Sequence, residues 1–158
     1  MKNFLKKLFV TGFFAGYFPF FPGTIGALVG VLIFLVFNPF PYVYYPSIII
    51  IFFLGAKYSF WAEIYFGKKD PKQVVIDEIA GMLVTMSGFN VNINLSQFCF
   101  SDYKILILGF VMFRIFDIIK PYPIPKIENL KGGWGIMLDD IIAGIYANIL
   151  LWIFKWLS

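Results

Sequence analysis

The sequence predicts an all-α membrane protein: a polytopic bundle of four to five membrane-embedded helices that follows an N-terminal amphipathic or re-entrant segment. Hydrophobic residues make up 60% of the 158-residue chain and charged residues only 14%, whereas soluble domains carry about 25% charged residues. The mean hydropathy is +0.82. A chain of this length has room for one compact bundle, so we expect residues 1–158 to form a single integral-membrane domain.

Five apolar stretches predict the helices, because backbone polar groups in lipid must be satisfied within their own segment. The stretches are residues 24–37, 46–66, 74–89, 104–119 and 136–157. A full crossing takes ~20 residues, so the first and third stretches are short. We expect these two to be little tilted, re-entrant or buried inside the bundle.

The N-terminal segment carries Lys2, Lys6 and Lys7 ahead of an apolar run that Gly12 and Pro19 interrupt. It has no small-x-small cleavage site before a soluble mature chain. We therefore expect it to lie against the membrane instead of being removed as a signal peptide.

Loop charges predict the topology. Loops 38–45 and 90–103 contain no Lys or Arg, whereas the N-terminus and the other two loops are rich in lysine. The lysines of those two loops are Lys68, Lys69, Lys72, Lys120, Lys126 and Lys131. By the positive-inside rule, the lysine-rich segments face the cytoplasm of a multi-pass membrane protein. Scattered basic residues of this kind do not predict a nucleic-acid partner.

The chain has no histidine and one cysteine, Cys99. This composition excludes His/Cys zinc sites, Ser-His triads and intrachain disulfides. A metal would need oxygen ligands, which favours Mg²⁺ or a relative such as Mn²⁺.

Five of the nine acidic residues stand beside apolar stretches, where acids are costly. They are Asp77, Glu78, Asp117, Asp139 and Asp140. The loop charges put all five at one membrane face, so we expect them to form one or two Mg²⁺ sites there, with the active site facing the cytoplasm. Helix capping is the alternative for Asp139 and Asp140. Neighbouring residues point in directions that differ by 100° around a helix. Asp139 and Asp140 can therefore both face one cavity only near the start of the helix. The alternative is that one of them binds the metal and the other contacts only the binding residue.

Arg114, Asp117 and Lys120 are spaced by three residues, which places an acid between two bases on one helix face. Such a triplet can bind a metal and its anionic ligand, or it can form a local salt-bridge ladder. The Pro-rich run after it, residues 120–125, predicts a stiff extended exit. The glycine-rich run 132–135 predicts a turn that lets backbone approach a ligand.

Residues 22–26 (PGTIG) predict a turn followed by a helix with Thr24 as its hydroxyl N-cap. An exposed helix N-terminus of this kind can bind phosphate. The alternative is a re-entrant turn in which Gly26 and Gly30 form a small-residue packing face. From the residues alone, the packing face is the better interpretation.

Several phosphatase chemistries are excluded. Without histidine there is no histidine phosphatase or vanadium-type lipid phosphatase, Cys99 has no Arg five residues later, and there is no Asp-x-Asp pair. Metal-assisted chemistry on an anionic, membrane-borne substrate remains, in which Mg²⁺ polarises a phosphoryl group and a carboxylate orients water.

Four ordered motifs carry a family resemblance that runs from about Gly12 to Ala147. They are residues 22–26 (PGTIG), 77–81 (DEIAG), 113–124 (FRIFDIIKPYPI) and 132–144 (GGWGIMLDDIIAG). In these motifs the chain resembles the phosphatidylglycerophosphatase A family. The resemblance implies an all-helical, Mg²⁺-dependent membrane enzyme that removes the terminal phosphate of phosphatidylglycerophosphate to give phosphatidylglycerol in phospholipid biosynthesis.

The resemblance also implies site roles. The five acids would be metal and catalytic groups, and Thr24, Arg114 and Lys120 would contact the substrate phosphate. Two other functions would also use acids beside a membrane. A CDP-alcohol phosphatidyltransferase also uses acids and Mg²⁺, but its Asp-Gly-x-x-Ala-Arg motif is absent. A small cation transporter could use membrane acids as ligands, but acids confined to one face do not make a path through the membrane.

Overall fold

The computed structural model describes residues 2–91 and 100–157, and within these ranges the protein is helical, with no strand. This confirms the all-α prediction. The helices are α1 (Lys2–Val10), α2 (Pro22–Phe37), α3 (Pro41–Phe66), α4 (Ile76–Met86), α5 (Phe100–Ile119), α6 (Ile124–Ile127) and α7 (Gly133–Leu157), with a short 3-10 helix at Ala15–Tyr17. Residues 92–99, which include Cys99 and most of the predicted outer loop 90–103, lie outside the described residues.

Within the described residues, two helices are long and apolar enough to cross a membrane: α3, with 26 residues, and α7, with 25. Helix α2 is apolar but shorter. These findings support membrane association.

Helix α4 is the centre of the bundle. It packs against α2, α3, α5 and α7, and nine of its eleven residues are buried. At 1.5 Å per residue, α4 is only about 16 Å long, which is too short to cross the hydrocarbon layer. Of the three alternatives given for the third apolar stretch, the structure supports burial inside the bundle.

Asn148 of α7 caps the C-terminal end of α4. Its side-chain amide donates hydrogen bonds of 2.8 Å to the carbonyls of Thr85 and Ser87. The last carbonyls of a helix have no partner within the helix, and in an apolar environment they need one from elsewhere. Asn148 thus lets a short helix end inside the protein.

Glycines bring α2 close to α4. A Cβ at Gly26 would lie 2.7 Å from Cβ of Val75, and one at Gly30 would lie 2.7 Å from Cβ of Met82. Both distances are too short for real side chains, so the two helices approach as they do because these positions lack a Cβ. The packing-face interpretation of Gly26 and Gly30 is confirmed.

The N-terminal segment folds back onto the entry to α4. Helix α1 packs on α3, and the backbone N–H of Val75 donates to the carbonyl of Val10 at 2.9 Å. Gly16 lies against the backbone of Gln73, where a Cβ would not fit. This arrangement holds residues 16–23 beside the first turn of α4.

Two local predictions hold only in part, although the chain does turn at Gly132. The Pro-rich run is not extended throughout, because a turn leads into α6, where Pro125 occupies the first turn of a helix and its missing N–H costs nothing. The glycines of the 132–135 run approach protein backbone: a Cβ at Gly133 would collide with the carbonyl of Ala56, and one at Gly135 would lie 2.7 Å from the carbonyl of Glu128. These glycines permit close packing of α7 against its neighbours.

Candidate active site

One cavity of about 720 Å³ collects the predicted site residues. Its walls come from the first turn of α4, the end of α5, the second turn of α7, and the segments 16–23 and 70–74. The predicted residues that line it are Asp77, Glu78, Arg114, Asp117, Lys120, Asp139 and Asp140. The prediction that acids from three helices meet in one place is therefore correct, while their individual roles stay predictions.

Close packing of α4 against α7 brings Asp77 and Asp140 together. Gly81 lies four residues after Asp77, and Gly144 lies four residues after Asp140, so each glycine shares a helix face with its acid. A Cβ at Gly144 would collide with the carbonyl of Gly81, and one at Gly81 would lie 2.6 Å from the carbonyl of Asp140. The two backbones touch at the glycines, and the acids lie one turn away on the same faces.

Asp77, Glu78 and Asp140 form a compact carboxylate cluster, in which one oxygen from each residue lies within 4.8 Å of the others. Asp77 and Asp140 are only 6% and 4% exposed. Oδ1 of Asp77 and Oε2 of Glu78 are buried and accept no hydrogen bond within the described part of the chain. Buried, unpaired carboxylate oxygens are costly. Three carboxylate donors at this spacing fit a hard divalent cation such as Mg²⁺.

The other two acids are paired with bases. The Arg114 guanidinium donates to Asp117, and the Lys120 ammonium donates to Asp139 at 2.9 Å. Lys120 also lies 3.2 Å from Oε2 of Glu128. Burial lowers the pKa of Lys120, but the charges of Asp139 and Glu128 outweigh it and raise the pKa above its usual value. Lys120 is therefore a cation at neutral pH.

The predicted triplet forms only in part. Arg114 and Asp117 pair as the spacing predicts, but Lys120 turns away from Asp117 toward α7. Its φ of 47° is left-handed, and α5 ends here because Pro121 cannot continue the helix. The capping alternative for Asp139 and Asp140 is wrong, since α7 begins at Gly133 and both acids lie well inside the helix.

Thr24 does not occupy its predicted position. Helix α2 begins at Pro22, with Phe21 as its N-cap and no side-chain cap hydrogen bond. Proline is favoured at the first helical position, so the helix starts before Thr24 and places it inside the first turn. Pro22 and Gly23 line the cavity and Thr24 is not among its lining residues; its contact with substrate stays a prediction.

Sequence reasoning missed Glu128, an aromatic mouth, and the contact of Gly23 with Glu78 and Arg114. The aromatic mouth consists of Tyr17, Phe18, Phe20 and Phe21, which line the cavity and are 43–77% exposed. Four aromatic residues within five positions of a non-helical run were the available signal. Glu128 gave none, because only the folded loop brings it to Lys120. Gly23 stood in a motif, but its contact with Glu78 and Arg114 depends on the packing of α2.

Comparisons with known proteins identify the family of the chain. The sequence model of the phosphatidylglycerophosphatase A family matches residues 8–155. The chain is 33% identical to phosphatidylglycerophosphatase A of Escherichia coli K12, over 92% of this chain and 80% of that protein. It is 30% identical to the Haemophilus influenzae protein of the same name, over 94% of this chain and 88% of that protein.

A protein of Bacteroides thetaiotaomicron named as a candidate phosphatidylinositol-3-phosphatase is 36% identical, over 98% of this chain and 96% of that protein. No solved structure matches the chain. The family match covers all four sequence motifs and the whole cavity, and the resemblance is confirmed: the chain belongs to the phosphatidylglycerophosphatase A family.

Proposed function

We propose that the protein is a Mg²⁺-dependent lipid phosphatase that hydrolyses the terminal phosphomonoester of phosphatidylglycerophosphate to phosphatidylglycerol and phosphate, in phospholipid biosynthesis. Family membership and two relatives named for this activity support the reaction. The observation that carries it is the composition of the cavity, where three clustered carboxylates that form no ion pair within the described residues lie beside Arg114 and Lys120. Metal-assisted hydrolysis of a phosphate ester uses cations to bind the phosphate charge and acids to bind the metal.

Asp77, Glu78 and Asp140 would hold Mg²⁺, with Asp117 and Asp139 beside them. Bound there, the ion would supply Lewis-acid polarisation of the phosphoryl oxygens. Arg114 and Lys120 bind and orient the phosphomonoester through charge-assisted hydrogen bonds. In the hydrolysis, a water oxygen bonds to phosphorus, the phosphorus–oxygen bond to glycerol breaks, and the glycerol oxygen ends with a proton. One of the cavity carboxylates orients this water or takes its proton.

The aromatic mouth suits a lipid substrate. Exposed aromatic side chains favour the membrane–water interface, so the mouth would rest at the headgroup level while the acyl chains stay in the lipid. We also propose four to five crossings of the bacterial cytoplasmic membrane, with the cavity facing the cytoplasm. The lysines around the cavity and its neighbouring grooves support that orientation.

The test uses the purified protein in mixed micelles with phosphatidylglycerophosphate and Mg²⁺. We expect phosphate release that falls at least about 100-fold in Asp117→Asn. Asp102→Asn is the matched control, since Asp102 lies in the first turn of the same helix, about 22 Å along its axis from Asp117. Release of CMP from a CDP-lipid without phosphate release, or ion flux in proteoliposomes without phosphatase activity, would contradict the proposal.

Phosphatidylinositol 3-phosphate is the second substrate to test, because the Bacteroides relative is named for it. Both lipids present a phosphomonoester to the same cations and differ in the alcohol that carries it. The ratio of kcat/KM for the two lipids, measured at equal acyl-chain length, decides between them. A ratio above one in favour of phosphatidylglycerophosphate supports the proposed substrate, and the reverse ratio assigns the inositol lipid.

A further inference from the structure

A second groove lies outside the catalytic cavity, where the end of α3 meets the start of α7. It consists of two adjoining cavities of about 490 and 450 Å³ that share Phe60, Lys131 and Gly132. We call these two cavities the lysine groove. None of the five acids of the candidate active site lines it.

The charge of the lysine groove is strongly positive. Lys57, Lys68, Lys69 and Lys131 line it, against one acid, Glu63. The ion pairs found among residues 2–91 and 100–157 do not involve these lysines. Glu63 already accepts the backbone N–H of Asp70, at 3.4 Å. The groove therefore has a net charge that an anionic ligand would complement.

The other end of the groove is apolar and faces outward. Phe53, Phe60 and Trp134 line it and are 56%, 52% and 45% exposed. Trp134 makes edge contacts with Phe52 and Phe53, at centroid distances of 5.7 and 6.1 Å, so its ring is fixed against α3. Since α3 is a candidate membrane span, this wall continues onto a surface that lipid chains can contact. Tryptophan at such a position is typical of the membrane interface.

The lysine groove is at the same end of the bundle as the catalytic cavity. A smaller cavity of about 350 Å³ joins them. It shares Asp70, Lys72 and Asp139 with the catalytic cavity, and Lys68 and Lys69 with the lysine groove. A ligand in the groove would thus lie at the headgroup level that the candidate active site also occupies.

We propose that the lysine groove binds one anionic diacyl phospholipid, with its phosphate at Lys68, Lys69 and Lys131 and its acyl chains along Phe53, Phe60 and Trp134. Basic pockets beside membrane helices are suited to such headgroups. Free phosphate would use the lysines but gains nothing from the aromatic wall. This site is distinct from the catalytic one and does not depend on the phosphatase activity.

Trp134 provides a local probe. The purified protein in detergent is titrated with phosphatidylglycerol that has brominated acyl chains, and with phosphatidylcholine that has the same chains, while tryptophan fluorescence is recorded. We expect phosphatidylglycerol to quench at lower concentration than phosphatidylcholine. We also expect the headgroup-selective part of the quenching to disappear in Trp134→Phe.

The double variant Lys68→Gln/Lys131→Gln should weaken phosphatidylglycerol binding roughly 30-fold. The matched control, Lys6→Gln/Lys126→Gln, removes the same net charge outside the groove and should keep the parent affinity. All four lysines lie on the surface or near it, and circular dichroism verifies that both variants fold. Equal quenching by the two lipids, equal loss in the control, or complete displacement of phosphatidylglycerol by millimolar inorganic phosphate would overturn the proposal.

Discussion

Gly23→Ala tests how closely α2 supports the carboxylate cluster. The added Cβ would collide with Oε1 of Glu78 and lie 3.2 Å from Nη1 of Arg114. The Glu78 oxygen would have to move by roughly 1 Å, a displacement that can cost about 100-fold in rate when it affects a reacting group. Alanine favours a helix over glycine by up to about 1 kcal/mol, so the variant should be at least as stable as the parent while kcat falls about 100-fold.

The assay measures phosphate release and, separately, unfolding in detergent followed by circular dichroism. Gly30→Ala is the matched control on the same helix. Its added Cβ would lie 2.7 Å from Cβ of Met82, so it would push α2 away from α4 without touching the carboxylate cluster. It should cost about 1–3 kcal/mol of stability with a much smaller change in kcat per folded molecule. If Gly23→Ala keeps the parent kcat, the argument that Gly23 maintains the position of Glu78 is wrong.

Three further predictions test the surrounding contacts. Asn148→Leu leaves two carbonyls at the end of α4 without partners and should lower the free energy of unfolding by about 2 kcal/mol; an unchanged unfolding midpoint would contradict this. Lys120→Gln leaves Asp139 unpaired and should reduce kcat/KM by at least about tenfold, at a stability cost of about 1 kcal/mol because the pair is partly exposed; parent kinetics would refute it. Phe20→Ser removes an apolar contact for the acyl chains and should raise KM about fivefold for a long-chain lipid but not for a short-chain, water-soluble analogue. The control, Tyr42→Ser at the far end of α3, should leave the KM values for both substrates unchanged.

The sequence predicted the parts of the site that depend on local spacing. Acids beside apolar stretches, with lysines in alternate loops, were enough to bring Asp77, Asp117 and Asp140 to one cavity. An acid near lipid is costly however the helices pack, so such acids face the interior of the protein or a water-filled cavity. The length of the third apolar stretch made burial one of three alternatives, and the packing of α4 decides for it.

The errors concern features that tertiary packing decides. Thr24 lost its predicted capping role because Pro22 starts the helix earlier, and Lys120 turned toward Asp139 because Pro121 ends α5. Glu128 contacts Lys120 through a loop whose path no local pattern encodes. Asp77, Glu78 and Asp140 form no ion pair within the described residues, whereas Asp117 and Asp139 each have a base partner. This division likewise depends on the packing of α4 against α7.

The central claim is that Asp77, Glu78 and Asp140 hold a divalent cation that phosphate release requires. The direct measurement is the rate of phosphate release from phosphatidylglycerophosphate by the parent and by Asp140→Asn, each with Mg²⁺ and with a chelator, with Asp102→Asn as the control. We expect the chelator to stop phosphate release by the parent and added Mg²⁺ to restore it. The rate of Asp140→Asn should be lower than the parent rate by about 1,000-fold or more with Mg²⁺ and should stay low with the chelator, while the control keeps the parent rate. Parent activity that survives the chelator, or an Asp140→Asn variant that releases phosphate at the parent rate, would contradict the claim.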